Sequence, residues 1–145
     1  MPVSLAMRRL LGIRVLQEEQ RRTTLETALR ELEGFRMARV LAQNRARAGR
    51  GLVSQSAHSG ELLDRLAGLA EQRHAQERIT HLAQPIADAE QRAAAGRLNY
   101  LAARVERRQA ETIVNNVVEE DTRTTARKSQ ADLDEWFRSH SSMRA

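Results

Sequence analysis

The chain has 145 residues and a net charge of +5, with 30% charged residues, 3% aromatic residues and no cysteine. The absence of cysteine excludes disulfides, thiolate catalysis and cysteine-based zinc sites. One Trp, one Tyr and two Phe can line a narrow seam between helices but cannot fill a globular interior, which relies on large apolar side chains.

Alanine, leucine, arginine, glutamate and glutamine dominate, and all cost little when held in a helix. Lys128 is the only lysine. We read that arginine excess first as codon bias of a GC-rich genome and only second as a set of guanidinium forks for phosphate. No stretch approaches the roughly 20 apolar residues of a membrane span. The expectation is a cytoplasmic chain without membrane insertion.

The first predicted element is a helix from about residue 4 to about 48. Apolar residues recur at helical spacing at Leu11, Val15, Leu25, Leu29, Leu32 and Phe35. Met1–Gln17 contains no acid and carries Arg8, Arg9 and Arg14, which resembles an organellar transit peptide. Its unbroken run into the helical pattern favours a helix start instead. Between Glu18 and Thr24 the stripe is polar, so this helix needs a partner.

Residues 49–60, containing Gly49, Gly51 and Gly60, are predicted to be the tip, because glycine tolerates the backbone that ends helices. Ser59 is the predicted cap of the next helix, with Glu61 and Asp64 near its positive end.

A second helix is predicted from about residue 61 to about 139. Ile79, Ile86, Ala93 and Tyr100 form one seven-residue row, and Leu82, Ala89, Gly96 and Ala103 a companion row. That repeat marks a coiled-coil stripe. Arg107 and Asp121 continue the first row as polar irregularities, and Pro85 is expected to bend the helix around residues 82–84.

One turn between two long helices implies antiparallel packing. The expected fold is all-α: a single domain of residues 1–145 forming a long antiparallel two-helix coiled-coil hairpin. A turn near Ser54 opposes Leu29 to Ile79, Leu25 to Leu82 and Ala83, and Leu11 to Arg97 and Leu98, with Phe35 near His74. On that register the first helix is exhausted near Arg104, leaving a C-terminal overhang of about 35 residues, or 50 Å at the helical rise.

Catalysis needs converging groups in a cavity, which two paired helices lack. His58, His74, His81 and His140 are scattered, and surface or seam positions suit them better than a metal site. Gly49-Arg50-Gly51 lacks the Gly-Lys-Ser/Thr of a phosphate loop. No enzymatic, cofactor or metal motif is found.

Three surfaces remain. Arg36, Arg39, Arg45, Arg47 and Arg50 fall in an acid-free stretch. They read as a basic knob for nucleic acid or an acidic protein, or as a solvated helix face. No aromatic is interleaved to stack bases, which argues against nucleic acid. Leu62, Leu63, Leu66 and Leu69 make a stripe wider than a two-helix seam requires. Some should pack against the first helix, and any surplus makes a docking spot. Leu133, Trp136 and Phe137 share one helix face. They read as anchors for another protein's groove, or as a face that folds back or self-associates.

The run Arg127-Lys128-Ser129-Gln130-Ala131-Asp132-Leu133-Asp134-Glu135-Trp136 is similar to the C-terminal pattern of the FliJ/YscO (SctO) stalk proteins of type III secretion systems. The length, the asymmetric two-helix pattern and the short glycine- and serine-containing tip also resemble that family. The scarcity of lysine and Pro85 are departures from it.

The resemblance implies a non-enzymatic central stalk, similar to the gamma subunit of rotary ATPases. Its paired terminal ends would insert into a hexameric secretion ATPase and promote assembly and turnover. The region after the tip would meet the export-gate protein, and export chaperones could be escorted. Carried over, Arg127, Lys128, Leu133, Trp136 and Phe137 lie on the ATPase side, and Leu62, Leu66 and Leu69 on the export-gate side. The alternatives are a nucleic-acid-associated coiled coil using Arg36–Arg50, and a scaffold whose overhangs pair between chains.

Overall fold

The computed structural model describes residues 2–144, so Met1 and Ala145, the ends of the expected 1–145 unit, lie outside the described residues. The described chain is two long α-helices packed against each other, α1 (Leu5–Ser59) and α2 (Leu62–Met143). Ser4 starts α1: its hydroxyl accepts from the Met7 amide at 3.1 Å and its carbonyl from the Arg8 amide at 3.1 Å, satisfying donors that a helix start leaves orphaned.

The tip expected at residues 49–60 is corrected to Gly60 and Glu61, because α1 continues through Gly49 and Gly51 to Ser59. Gly60 alone has positive φ, at 73°, among the described residues. Its amide donates to the Ser56 carbonyl at 2.8 Å, the single bond that closes a left-handed C-terminal cap. Ser59 therefore ends α1 instead of capping α2. Glu61 occupies the start of α2, its carbonyl accepting from the Arg65 amide at 3.3 Å.

The chain divides into two compact units, Arg21–Tyr100 and Met1–Gln20 with Leu101–Ala145. In the unit of residues 21–100, Leu32, Leu82, Ile86, Ala89 and Ala93 form a buried cluster against which Ala28, Phe35 and Ala38 pack. The shielded positions of α1 follow alternating steps of three and four: Leu25, Ala28, Leu32, Phe35, Arg39, Ala42, Ala46, Gly49, Val53 and Ser56. Those of α2 do the same from Gly68 through Gln72, Ala75, Ile79 and Leu82 to Tyr100.

Partner numbers fall on α2 as they rise on α1. Leu25 meets Gly96, Glu31 binds Arg92 at 2.9 Å, Arg36 reaches Glu90 at 3.6 Å, and Arg45 reaches Glu71 at 3.9 Å. The register expected for a turn near Ser54 is thus displaced, as the turn's later position requires. Leu98, expected to face Leu11, is 70% exposed.

Towards the turn the seam residues become small, and the backbones close in. A Cβ on Gly49 would lie 2.7 Å from the Gly68 carbonyl oxygen and 3.0 Å from the Gln72 amide. Gly49 is consequently a packing residue within α1, not a helix stop. Pro85 lies inside α2, which continues through it. Buried Leu82, Ile86 and Ala89 on its two sides keep the helix in phase.

In the other unit the shielded α1 positions are Met7, Leu11, Arg14, Gln17 and Glu18, and the α2 positions include Ala103, Arg107, Ala110, Val114 and Val117. The polar stretch around Glu18 has a partner here. Arg107 donates to both Glu18 and Glu111, and Arg14 donates to Glu106 at 2.7 Å. The two carboxylates, Glu18 foremost, hold the Arg107 guanidinium above the ordinary arginine range.

Candidate functional site

The second helix opens with leucines that α1 does not cover. Leu62, Leu63, Leu66 and Leu69 are 68%, 81%, 54% and 46% exposed. None of the four is buried, and the shielded positions at this end fall on Asp64 and Gly68. Glycine at the crossing brings the helices together and leaves the leucines on either side. Leu69 does line a surface groove with Ala46, Arg47, Arg50, Arg73 and Ile79.

The acid-free stretch of α1 is not a knob at the tip. Arg50 stands ten residues before the turn, about 15 Å along the helix. Acids of α2 compensate part of the stretch, since Arg36 reaches Glu90 and Arg45 reaches Glu71. Arg39 is half-buried. Like Arg39, Arg47 and Arg50 make no ion pair among the described residues, and these two share the groove with Arg73, which pairs with Glu77 at 3.4 Å.

Beyond Asp121 every described residue is exposed, from Thr122 to Arg144. Arg127 and Lys128 are among them, and Leu133, Trp136 and Phe137 are 52%, 53% and 59% exposed. Expected to begin near Arg104, this uncovered stretch starts later because the turn lies later. The Trp136 and Phe137 rings meet edge to face with centroids 5.2 Å apart. His140, missed in the sequence, stacks on Trp136 at 3.9 Å and 27°. Its i, i+4 spacing from Trp136 is the signal that could have found it.

A further apolar surface was also missed. In the unit of residues 2–20 and 101–144, Leu5, Leu10, Ile13, Val15 and Leu16 are all exposed, as are Val105 and Ile113 on α2. The density of aliphatic residues between Leu5 and Leu16 exceeds what one seam can use, and that excess was legible.

Among the described residues there is no group of three or more His, Asp or Glu that could hold a metal ion, and no helix is long and apolar enough to cross a membrane. Glu61 and Asp64 share a hydrogen bond that, with their mutual repulsion, raises the Glu61 pKa above its ordinary 4.5. That pairing belongs to the start of α2. Compared with known proteins, the chain matches no family model, no curated protein and no solved structure.

Proposed function

We propose that this chain is a stalk component of a type III secretion system: an antiparallel coiled-coil hairpin whose terminal unit inserts into a hexameric secretion ATPase. The two-residue connection and the alternating three-four spacing support the antiparallel coiled coil. The exposed run from Thr122 onward is read as the C-terminal overhang.

The observation that carries the reading is the coat of exposed aliphatic and aromatic side chains on the unit that holds both chain ends. Leu10, Ile13 and Leu16 on α1, with Val105, Leu133 and Trp136 on α2, lie outside the seam. A helix that is apolar on several sides is stable in water only when something encloses it. A ring-shaped ATPase whose channel receives the paired helices is such an enclosure.

Leu62, Leu66 and Leu69 then form the export-gate side, at the far sequence position from the ATPase side. Export chaperones are further partners on this reading, the chain itself hydrolyses nothing, and it works in the cytoplasm at the base of the apparatus. A nucleic-acid role is less favoured, because Arg36 and Arg45 already face Glu90 and Glu71.

Nuclease-treated affinity capture from the native cell, read by mass spectrometry, tests the proposal. Recovery of a hexameric secretion ATPase or an export-gate protein is expected, with the ATPase lost for Leu133→Asp/Trp136→Ala. Capture of nucleic-acid-associated proteins alone, removed by nuclease, would overturn it.

A further inference from the structure

The exposed end of α2 is complementary to itself. Its face carries Glu119, Thr122, Ala126, Ser129, Leu133, Trp136 and His140 at alternating steps of three and four, the spacing of a second coiled-coil seam. This seam is out of phase with the one that faces α1, which runs through Val114, Val117 and Asp121. Leu133 and Trp136 remain 52% and 53% exposed.

We infer that the 119–140 segments of two copies of this chain pair antiparallel about a two-fold axis at Ser129. In that register Thr122 opposes Trp136 of the second copy, Ala126 stands one residue from opposing its Leu133, and Glu119 one residue from opposing its His140. Ser129 meets its own copy. Leu133 and Trp136 each face a smaller side chain, so both apolar anchors are accommodated twice by symmetry, as an isologous contact requires.

The flanking charges select the same register. Arg123 and Arg127 stand one turn apart on one flank, where like charges repel, and neither is in an ion pair among the described residues. In the antiparallel pair Asp134 of the second copy falls between them. Asp134 is held on that flank by the Gln130 amide at 3.1 Å. On the opposite flank Lys128 stands two residues, about 3 Å of helix rise, from opposing Asp132 of the second copy. A parallel, in-register pair would instead set Arg123 against Arg123 and Asp132 against Asp132.

The inference concerns the free chain and does not rest on the stalk reading. In a cell where an ATPase takes the Leu133–Trp136 face, the second copy would be displaced from it.

Equilibrium sedimentation of the full chain over a concentration series is the first test, with a rise from 16.4 kDa to twice that mass expected. A mass that stays monomeric to millimolar concentration, or that passes beyond the dimer, overturns the proposal. Arg123→Glu/Arg127→Glu should weaken the dimer about tenfold, and adding Asp134→Arg should restore it. Failure of the triple variant to recover would remove the charge register.

Because the chain has no cysteine, single cysteines report the orientation on exposed positions. Ser129→Cys should link to itself on oxidation. Ala126→Cys and Leu133→Cys should link to one another when mixed and not each to itself. Self-linking at both positions would mean parallel pairing and overturn the two-fold.

Discussion

Gly49 and Gly68 face each other so closely that a Cβ on either would lie 2.7 Å from the carbonyl oxygen of the other. Backbone, not a yielding side chain, occupies that space, so the helices cannot make room without separating. The same contact explains why a residue type that ordinarily stops helices sits in the middle of α1.

Alanine at either position should therefore destabilise the chain. Overpacking costs about 1–3 kcal/mol, more than the roughly 0.5–1 kcal/mol that replacing a helical glycine gains. Gly34 and Gly51 meet nothing within 4 Å, so Gly34→Ala and Gly51→Ala should stabilise by that smaller amount. Urea unfolding of the four variants checks the sign at each site. Stabilisation by Gly49→Ala would mean the helices do not approach there.

The buried cluster separates the observed register from one centred on Ser54. Leu32 and Ile86 are 6% and 4% exposed, and truncating either to alanine should cost about 2–4 kcal/mol. Leu98→Ala should change stability by less than about 0.5 kcal/mol, as an exposed substitution does. A large loss at Leu98 in thermal unfolding would restore the earlier turn position.

Glu18 and Arg107 form a polar layer in which both side chains are largely shielded. A buried polar layer fixes register because any slip leaves a charge unpaired. Glu18→Arg and Arg107→Glu should each lower the melting temperature, and the exchanged pair should recover most of it. Recovery would be absent if the two residues act independently. The folded-state pKa of Arg107 is raised, so its contribution persists below the ordinary arginine range and is lost only as pH rises through a still higher value.

The carboxyl pair that begins α2 titrates in the opposite regime. The Glu61 pKa is raised by the hydrogen bond and repulsion from Asp64, so the folded chain binds that proton more tightly than the unfolded chain. The resulting stability is present at pH below 4.5 and is lost as pH rises through the raised folded value. Glu61→Gln should flatten the melting temperature across that window. An unchanged pH profile would show that Asp64 does not reach Glu61.

The all-helical character, the two long segments and the unpaired aromatic face near Trp136 were legible from residue types and spacing alone. Helix formers, few breakers and seven-residue rows are local properties that each segment carries without its neighbour. Arg107 stood out as an irregularity in its row, but its meaning depended on Glu18, 89 positions away.

The tertiary structure decided what local pattern could not. Gly49, Gly51 and Gly60 are the same residue type within a dozen positions, yet only Gly60 turns the chain. Which glycine ends a helix depends on what the opposite helix brings against it, because close packing rewards glycine as strongly as positive φ does. Moving the turn from Ser54 to Gly60 shifted every pairing, left Leu62, Leu63, Leu66 and Leu69 exposed and set the uncovered C-terminal stretch to begin after Asp121.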